Sequence, residues 1–285
     1  MRVIVHGGAG GTAEEPAVRQ HELGAAAAAG TDTQDPVDAA VTAAAELESA
    51  PRFNAGVGSA VQSDGRIRTD AGLMVDNGTT GAACSMAGVE HAAEVARVVA
   101  SETPHVLLAG ERATDLAAAS GVATDSDLWT DRTRERWADL DAPDGDMRDH
   151  LGWVREQFGG ADTIGAVATD GETVATVTST GGRWCALAGR VGDVPQVGAG
   201  FYAADGVAAS ATGAGEAIAR FGLARRAVDL VGDLPPQLAA DRAMDEFGRA
   251  TDEQAGLILL DTAGQTGSTY NSEEMLTAVR GDPTG

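Results

Sequence analysis

The sequence predicts an α+β fold in which largely antiparallel sheets are covered by helices. Three observations carry that expectation. Apolar strand-like runs such as "RVIVH" (2–6) and "AGLILLD" (255–261) mix along the chain with segments of helical periodicity. Strand-like runs meet through Asp170-Gly171, a two-residue hairpin signal that joins antiparallel neighbours. Finally, no internal repeat of fixed period divides the 285 residues, which suffice for one large domain or two small ones with a sizeable core. Hydrophobic residues make up 43% and aromatics only 4%, with 38 glycines, so the core must be built from Ala, Val, Leu and Ile around many tight turns.

The elements follow in order. Residues 2–6 are expected as a buried strand ended by the glycine-rich turn "GGAGG" (7–11), and 14–29 as a helix. In 35–50, Asp35 is placed as an N-cap with Pro36 at the first helical position, and Val37, Val41, Ala44 and Leu47 share one face. The loop 49–59 leads into a strand over 65–76, and helical patterns recur at 91–101, 110–120 and 147–158. The charged stretch 121–160 reads as a surface helix and mobile linker rather than a domain boundary. Strands resume at 163, 173–179 and 206–211. Helices are expected at 213–231 and 235–249, then strands at 255–261 and 266–271. Ala217, Phe221, Ala224, Val228 and Val231 mark the buried stripe of the first of those helices.

Composition excludes several classes of function. Net charge is −23 and all 20 basic residues are arginine. Nucleic acid and anionic membrane would be repelled, whereas high salt would relieve the self-repulsion, so adaptation to salt is expected. Without lysine there is no P-loop, no Schiff base and no Ser-Lys mechanism. No run approaches 18 apolar residues, and "MRVIVHGGAGG" reads as a first strand rather than a signal peptide, which implies a cytoplasmic protein. Cys84 and Cys185 form no metal-ligand spacing and read as buried free thiols.

Three places could carry chemistry. A two-residue turn at Asp170-Gly171 would set Thr163 opposite Thr178, with Thr180 its diagonal neighbour on the same face. Ordinary β threonines would look the same. "GRVGD" (189–193) offers Arg190 and Asp193 to an α-carboxylate and an α-ammonium group, or to each other as a surface pair. "SATGAGE" (210–216) puts Thr212-Gly213 where a strand meets a helix, which is an oxyanion site or a plain N-cap.

Together and in this order, "HGGAG" (6–10), "FNAGVGS" (53–59), "DTIGAVA" (162–168), "TSTGG" (178–182), "GRVGD", "SATGAGE" and "YNSEEM" (270–275) resemble the plant-type asparaginase/isoaspartyl peptidase family of N-terminal nucleophile hydrolases. The resemblance spans nearly the whole chain. It implies a four-layer αββα sandwich and one domain, 1–285, that cuts itself between Asp162 and Thr163 into 1–162 and 163–285. Thr163 would then be nucleophile and, through its freed amine of ordinary pKa about 7.7–8.0, general base. Thr180 would orient it, and Asn54 and the turn around Gly8 would assist the cut. Arg190 would grip the substrate α-carboxylate and Asp193 its α-ammonium group, with Thr212 and the Gly213 N–H as oxyanion hole. L-Asparagine or a β-aspartyl dipeptide would pass through a β-aspartyl ester without a catalytic metal. A structural sodium on the main-chain carbonyls of Leu47, Glu48, Ala50, Phe53, Ala55 and Val57, and a homodimer of two-fragment units, are implied as well.

Two residues depart from the pattern. Asp162 stands where asparaginase-type members carry Gly and is similar to the sister glycosylasparaginases, which leaves ammonia, an amino acid or a glycosylamine as leaving group. Glu274 also stands where Gly is usual. Two rivals remain. A serine hydrolase, suggested by "HGGAG", would need a GxSxG elbow, which the chain lacks. An amino-acid-binding protein would keep Arg190 and Asp193 but have no use for a cut at Thr163.

Overall fold

The computed structural model describes residues 1–282. The first half runs β1 (Arg2–Gly10), α1 (Pro16–Thr31), α2 (Pro36–Glu48), β2 (Arg68–Val75), β3 (Thr80–Ala87), α3 (Ala92–Glu102), β4 (Leu107–Ala109) and α4 (Glu111–Ala119). Next come α5 (Asp131–Ala138), α6 (Met147–Gln157), β5 (Gly159–Ala161), β6 (Ile164–Thr169), β7 (Val174–Thr180) and β8 (Arg183–Trp184). The last third holds β9 (Phe201–Ala204), β10 (Val207–Gly213), α7 (Gly215–Phe221), α8 (Leu223–Val231) and α9 (Pro236–Thr251). It ends with β11 (Ala255–Asp261), β12 (Thr266–Tyr270) and β13 (Glu274–Gly281).

Among the described residues, one sheet has seven strands in the order β13-β1-β6-β7-β2-β3-β4, and a second has four in the order β12-β11-β10-β9. All neighbours pair antiparallel except β3 with β4. Side-chain alternation divides each central strand between two cores. Val3 and Val5 of β1 and Ala166 and Ala168 of β6 pack with α1–α3. Their neighbours Ile4 and Val167 meet Ala208, Ile258 and Leu260 of the second sheet. The outer face of that sheet, through Ala209, Ala211, Leu257 and Leu259, is covered by α7–α9. The result is the helix–sheet–sheet–helix sandwich expected.

Several boundaries differ from the sequence reading, each for a local reason. β1 does not stop at His6. It bulges and then pairs Ala9 and Gly10 with Met275 and Glu274 of β13, so the glycine run is strand rather than turn. The expected helix 213–231 is two helices broken at Gly222, which sits at φ 74. The Asp170-Gly171 hairpin closes through four residues instead of two, because Asp170 Oδ1 accepts from the N–H groups of Glu172 and Thr173. β3, β9 and β13 were not expected. β3 is made of small residues because α3 lies on it: a Cβ at Gly81 would stand 2.2 Å from the Ala96 carbonyl oxygen. Within 121–160, α5 and α6 attach through Trp137, which meets Trp153 and Trp184 edge-on at 6.0 and 6.5 Å.

Candidate active site

The four-residue turn moves the β6–β7 register by two, so the face assignment survives while the partner changes. Ile164 pairs with Ser179 and Gly165 with Thr178, which brings Thr163 opposite Thr180 rather than diagonal to it. The Thr163 hydroxyl donates to Thr180 Oγ1 at 3.3 Å, and both residues are buried. Both point into the space between the sheets, as does Thr178, whose Oγ1 lies 2.7 Å from Ser210 Oγ of β10. His6 Nε2 joins that hydroxyl at 2.8 Å. Burial drives the His6 pKa down to about 3, so its ring is neutral.

In the uncut chain the Asp162 carbonyl is clasped. Asn54 Nδ2 donates to it at 2.6 Å and Thr180 Oγ1 at 3.1 Å. Asn54 is itself fixed, since Nδ2 also donates to the Gly182 carbonyl at 2.6 Å and Oδ1 accepts from Ala60 N at 2.7 Å. Thr180 Oγ1 accepts from Gly182 N at 3.0 Å, which leaves its own proton for Asp162. Gly8, at φ +110, makes room on the other side: a Cβ there would lie 2.8 Å from Asp162 Oδ1. The Asp162 carboxylate sits 3.8 Å from Arg19 Nη2. Burial pushes its pKa up, and Arg19 and Arg132 oppose that.

A second cluster forms at the start of α7. Arg190 and Asp193 both crowd the bare Cα of Gly215, where a Cβ would lie 2.6 Å from Asp193 Oδ1 and 2.8 Å from Arg190 Nη2. Asp193 Oδ2 is buried with no protein partner. Burial raises the Asp193 pKa to about 6, against the pull of Arg190. Thr212 Oγ1 is likewise buried without a partner, and Gly213 at φ +132 lets the chain turn tightly past Gln254 and Ala255. The two clusters meet at Asp70, a residue the sequence reading missed. It pairs with Thr180 across β2 and β7. Burial lifts its carboxyl pKa to about 7, with Arg190 and Asp193 both within electrostatic reach.

Two more carboxylates were missed, the part-exposed Glu216 and the fully buried Glu48. Glu216 carries the Arg190 guanidinium on Oε1 at 2.8 Å and Arg183 on Oε2 at 3.3 Å. The Glu48 side chain has no exposed surface; it accepts from Ser179 Oγ at 2.5 Å and Ala93 N at 3.0 Å, and faces His91 Nδ1 at 3.6 Å. That ties α2 to the strand bearing Thr180. No sequence signal marks either role, because a buried acid is defined by partners distant in the chain. The Glu48 carbonyl also closes the loop back on itself by accepting from Val57 N at 2.8 Å. Among the described residues no group of three or more His, Cys, Asp or Glu side chains is placed to hold a metal. Nor is any helix of the described residues long and apolar enough to cross a membrane.

A cleft of about 530 Å³ reaches Asp162 of the first cluster and Gly213 of the second, lined also by Gly10, Gly11, Arg183 and Glu253 among others. Comparison with known families decides what this constellation belongs to. A model of the asparaginase family matches residues 1–284. The chain belongs to the asparaginase family. It is 37% identical to a plant-type L-asparaginase of Pyrococcus abyssi, over 96% of this chain and 94% of that protein. It is 35% identical to an isoaspartyl peptidase/L-asparaginase of Danio rerio, over 96% and 90%. An isoaspartyl peptidase of Salmonella typhimurium is also 35% identical, over 97% and 94%. For an asparaginase-family chain, a helix-covered pair of sheets is the expected frame.

Proposed function

We propose that this protein is a threonine amidohydrolase that activates itself by cutting Asp162–Thr163 and then hydrolyses L-asparagine, β-aspartyl dipeptides or both. The observation that carries this reading is the clasp on the Asp162 carbonyl. Its two donors, Asn54 Nδ2 and Thr180 Oγ1, stand where negative charge would gather if Thr163 Oγ1 attacked that carbon. Attack converts the peptide to an ester as the Thr163 nitrogen leaves with the proton surrendered by the hydroxyl. Water then splits the ester, giving a carboxylate on Asp162 and a free α-amine on Thr163. That amine supplies the base a threonine hydroxyl otherwise lacks.

For substrate, Arg190 and Asp193 offer opposite charges to an amino acid's own carboxylate and ammonium groups, and Asp193 Oδ2 is an acceptor awaiting a donor. With the α-groups so held, the side-chain carbonyl is directed at Thr163, and Thr212 with the Gly213 N–H receives its oxygen. Attack releases ammonia or an amino acid and leaves a β-aspartyl ester for water. The reading places a sodium ion on the carbonyls of the 47–57 loop, where it would brace the segment leading to Asn54. It also pairs two cleaved units in a homodimer, which sedimentation would check. Intact-mass measurement of purified protein tests the core of the proposal. Two fragments, beginning at Met1 and Thr163, are expected. A single species with neither activity would overturn it.

A further inference from the structure

Among the described residues, Arg183 is the one cation lining the 530 Å³ cleft that Asp162 shares with Gly213, whose other charged lining residues are Asp162, Asp252 and Glu253. It stands in β8 opposite Ala161, immediately beside the peptide to be cut. Its guanidinium lies 4.0 Å over the ring of Phe158 and 3.3 Å from Glu216, while its buried Nε has no hydrogen-bond partner. Glu216 is shared with Arg190, so the two arginines occupy the two oxygens of one carboxylate. The guanidinium that receives the aspartyl α-carboxylate and that of Arg183 are therefore neighbours with separate outlooks, Arg183 alone facing this cleft.

We propose that Arg183 forms a second carboxylate subsite, which takes the free C-terminal carboxylate of the leaving amino acid in a β-aspartyl dipeptide. This rests on the hydrolase reading given above. The aspartyl half is held over Gly215 and its carbonyl oxygen at Gly213, so the leaving nitrogen must extend into the cleft that Gly213 shares with Asp162 and Arg183. A carboxylate arriving there meets an otherwise acidic wall. Arg183 turns that repulsion into a charge-assisted pairing, and its fork matches the two oxygens. In the uncut chain Phe158 stacks on the guanidinium. Cutting after Asp162 detaches from Thr163 the segment that carries Phe158, at the end of α6, and lets the stack give way to substrate. L-Asparagine, whose leaving group is ammonia, gains nothing from this residue.

The experiment compares β-aspartyl-leucine, β-aspartyl-leucinamide and L-asparagine on cleaved protein at one fixed salt concentration, for wild type, Arg183→Gln and Arg183→Lys. Wild type should prefer the free acid over the amide by about tenfold or more in kcat/KM, the scale of one charge-assisted pairing. Arg183→Gln should lose roughly that factor on the acid alone, and Arg183→Lys should recover part of it. Equal turnover of acid and amide by wild type would overturn the proposal. So would a parallel loss on all three substrates in Arg183→Gln, which would mark a merely structural role. Should Arg183→Gln fail to fold or cut, the wild-type acid-to-amide ratio decides alone. Cleaved wild type that turns over asparagine but neither dipeptide sinks the subsite and spares the hydrolase. Inactivity on all three sinks both.

Discussion

Asn54 Nδ2 donates at 2.6 Å to the Asp162 carbonyl and at 2.6 Å to the Gly182 carbonyl, so one side-chain amide bridges both flanks of the threonine hairpin. The bridge aims a donor at the carbonyl before any reaction begins. Asn54→Ala should therefore slow self-cleavage by about 10²–10³-fold, the loss seen when one oxyanion donor is removed. A time course of fragment appearance on denaturing gels checks this. Cutting at the wild-type rate would remove Asn54 from the mechanism.

Thr163→Ala should remain a single 28.8 kDa chain with no turnover. Thr180→Ala is a sharper case, because it keeps the nucleophile and removes the hydroxyl 3.3 Å away that also donates to Asp162. It should fold, cut at least about tenfold more slowly, and lose kcat more than KM, as expected of a group acting in the transition state.

Gly8→Ala places a methyl against Asp162 Oδ1 in a backbone conformation that resists side chains. Processing should be impaired. The double variant Gly8→Ala/Asp162→Gly removes the clash while leaving the backbone strain, so cutting should recover in part. No recovery would assign the whole defect to φ.

Hairpin, helices and caps were legible because each depends on neighbours in sequence. Asp35 does accept from Val37 N and Asp38 N, as its place before Pro36 implied. The chemistry proposed at Thr163 rests on the motif series, since strand threonines carry no private signature. Three features were not legible for physical reasons. After Thr80, β3 carries no β-branched residue, because close approach to α3 demands small ones. The two-residue register change depends on side-chain bonds from Asp170. Glu48, Asp70 and Glu216 look like any surface acid until the fold brings their partners.

Burial raises the Asp193 pKa to about 6, and the proposed pairing with a substrate ammonium needs it ionised. KM for asparagine should therefore rise as pH falls from 7 to 5, with kcat less affected, and Asp193→Asn should abolish this limb. The stability effect has the opposite sign. Its folded pKa lies above the ordinary 3.8, so between those values the folded state holds the proton longer and this group's contribution falls as pH rises. Asp193→Asn should thus melt no lower than wild type at pH 8; a clearly lower Tm would contradict that sign.

A net charge of −23 predicts a Tm that climbs with potassium chloride into the molar range, as screening removes self-repulsion. A calorimetric Tm unchanged between dilute buffer and molar salt would exclude adaptation of this kind.

The strand order carries a last consequence. β1 lies between β13 and β6, and β7 lies against β2, so the parts before and after Thr163 alternate across one sheet. Scission at Asp162–Thr163 would free two ends without freeing two bodies, since each piece supplies the hydrogen-bonding edge the other needs. Neither piece holds the seven-stranded sheet complete, and the clasp on Asp162 joins Asn54 from one piece to Thr180 from the other. On the proposed reading the molecule would have to finish folding before arming itself, and a misfolded copy would stay chemically inert.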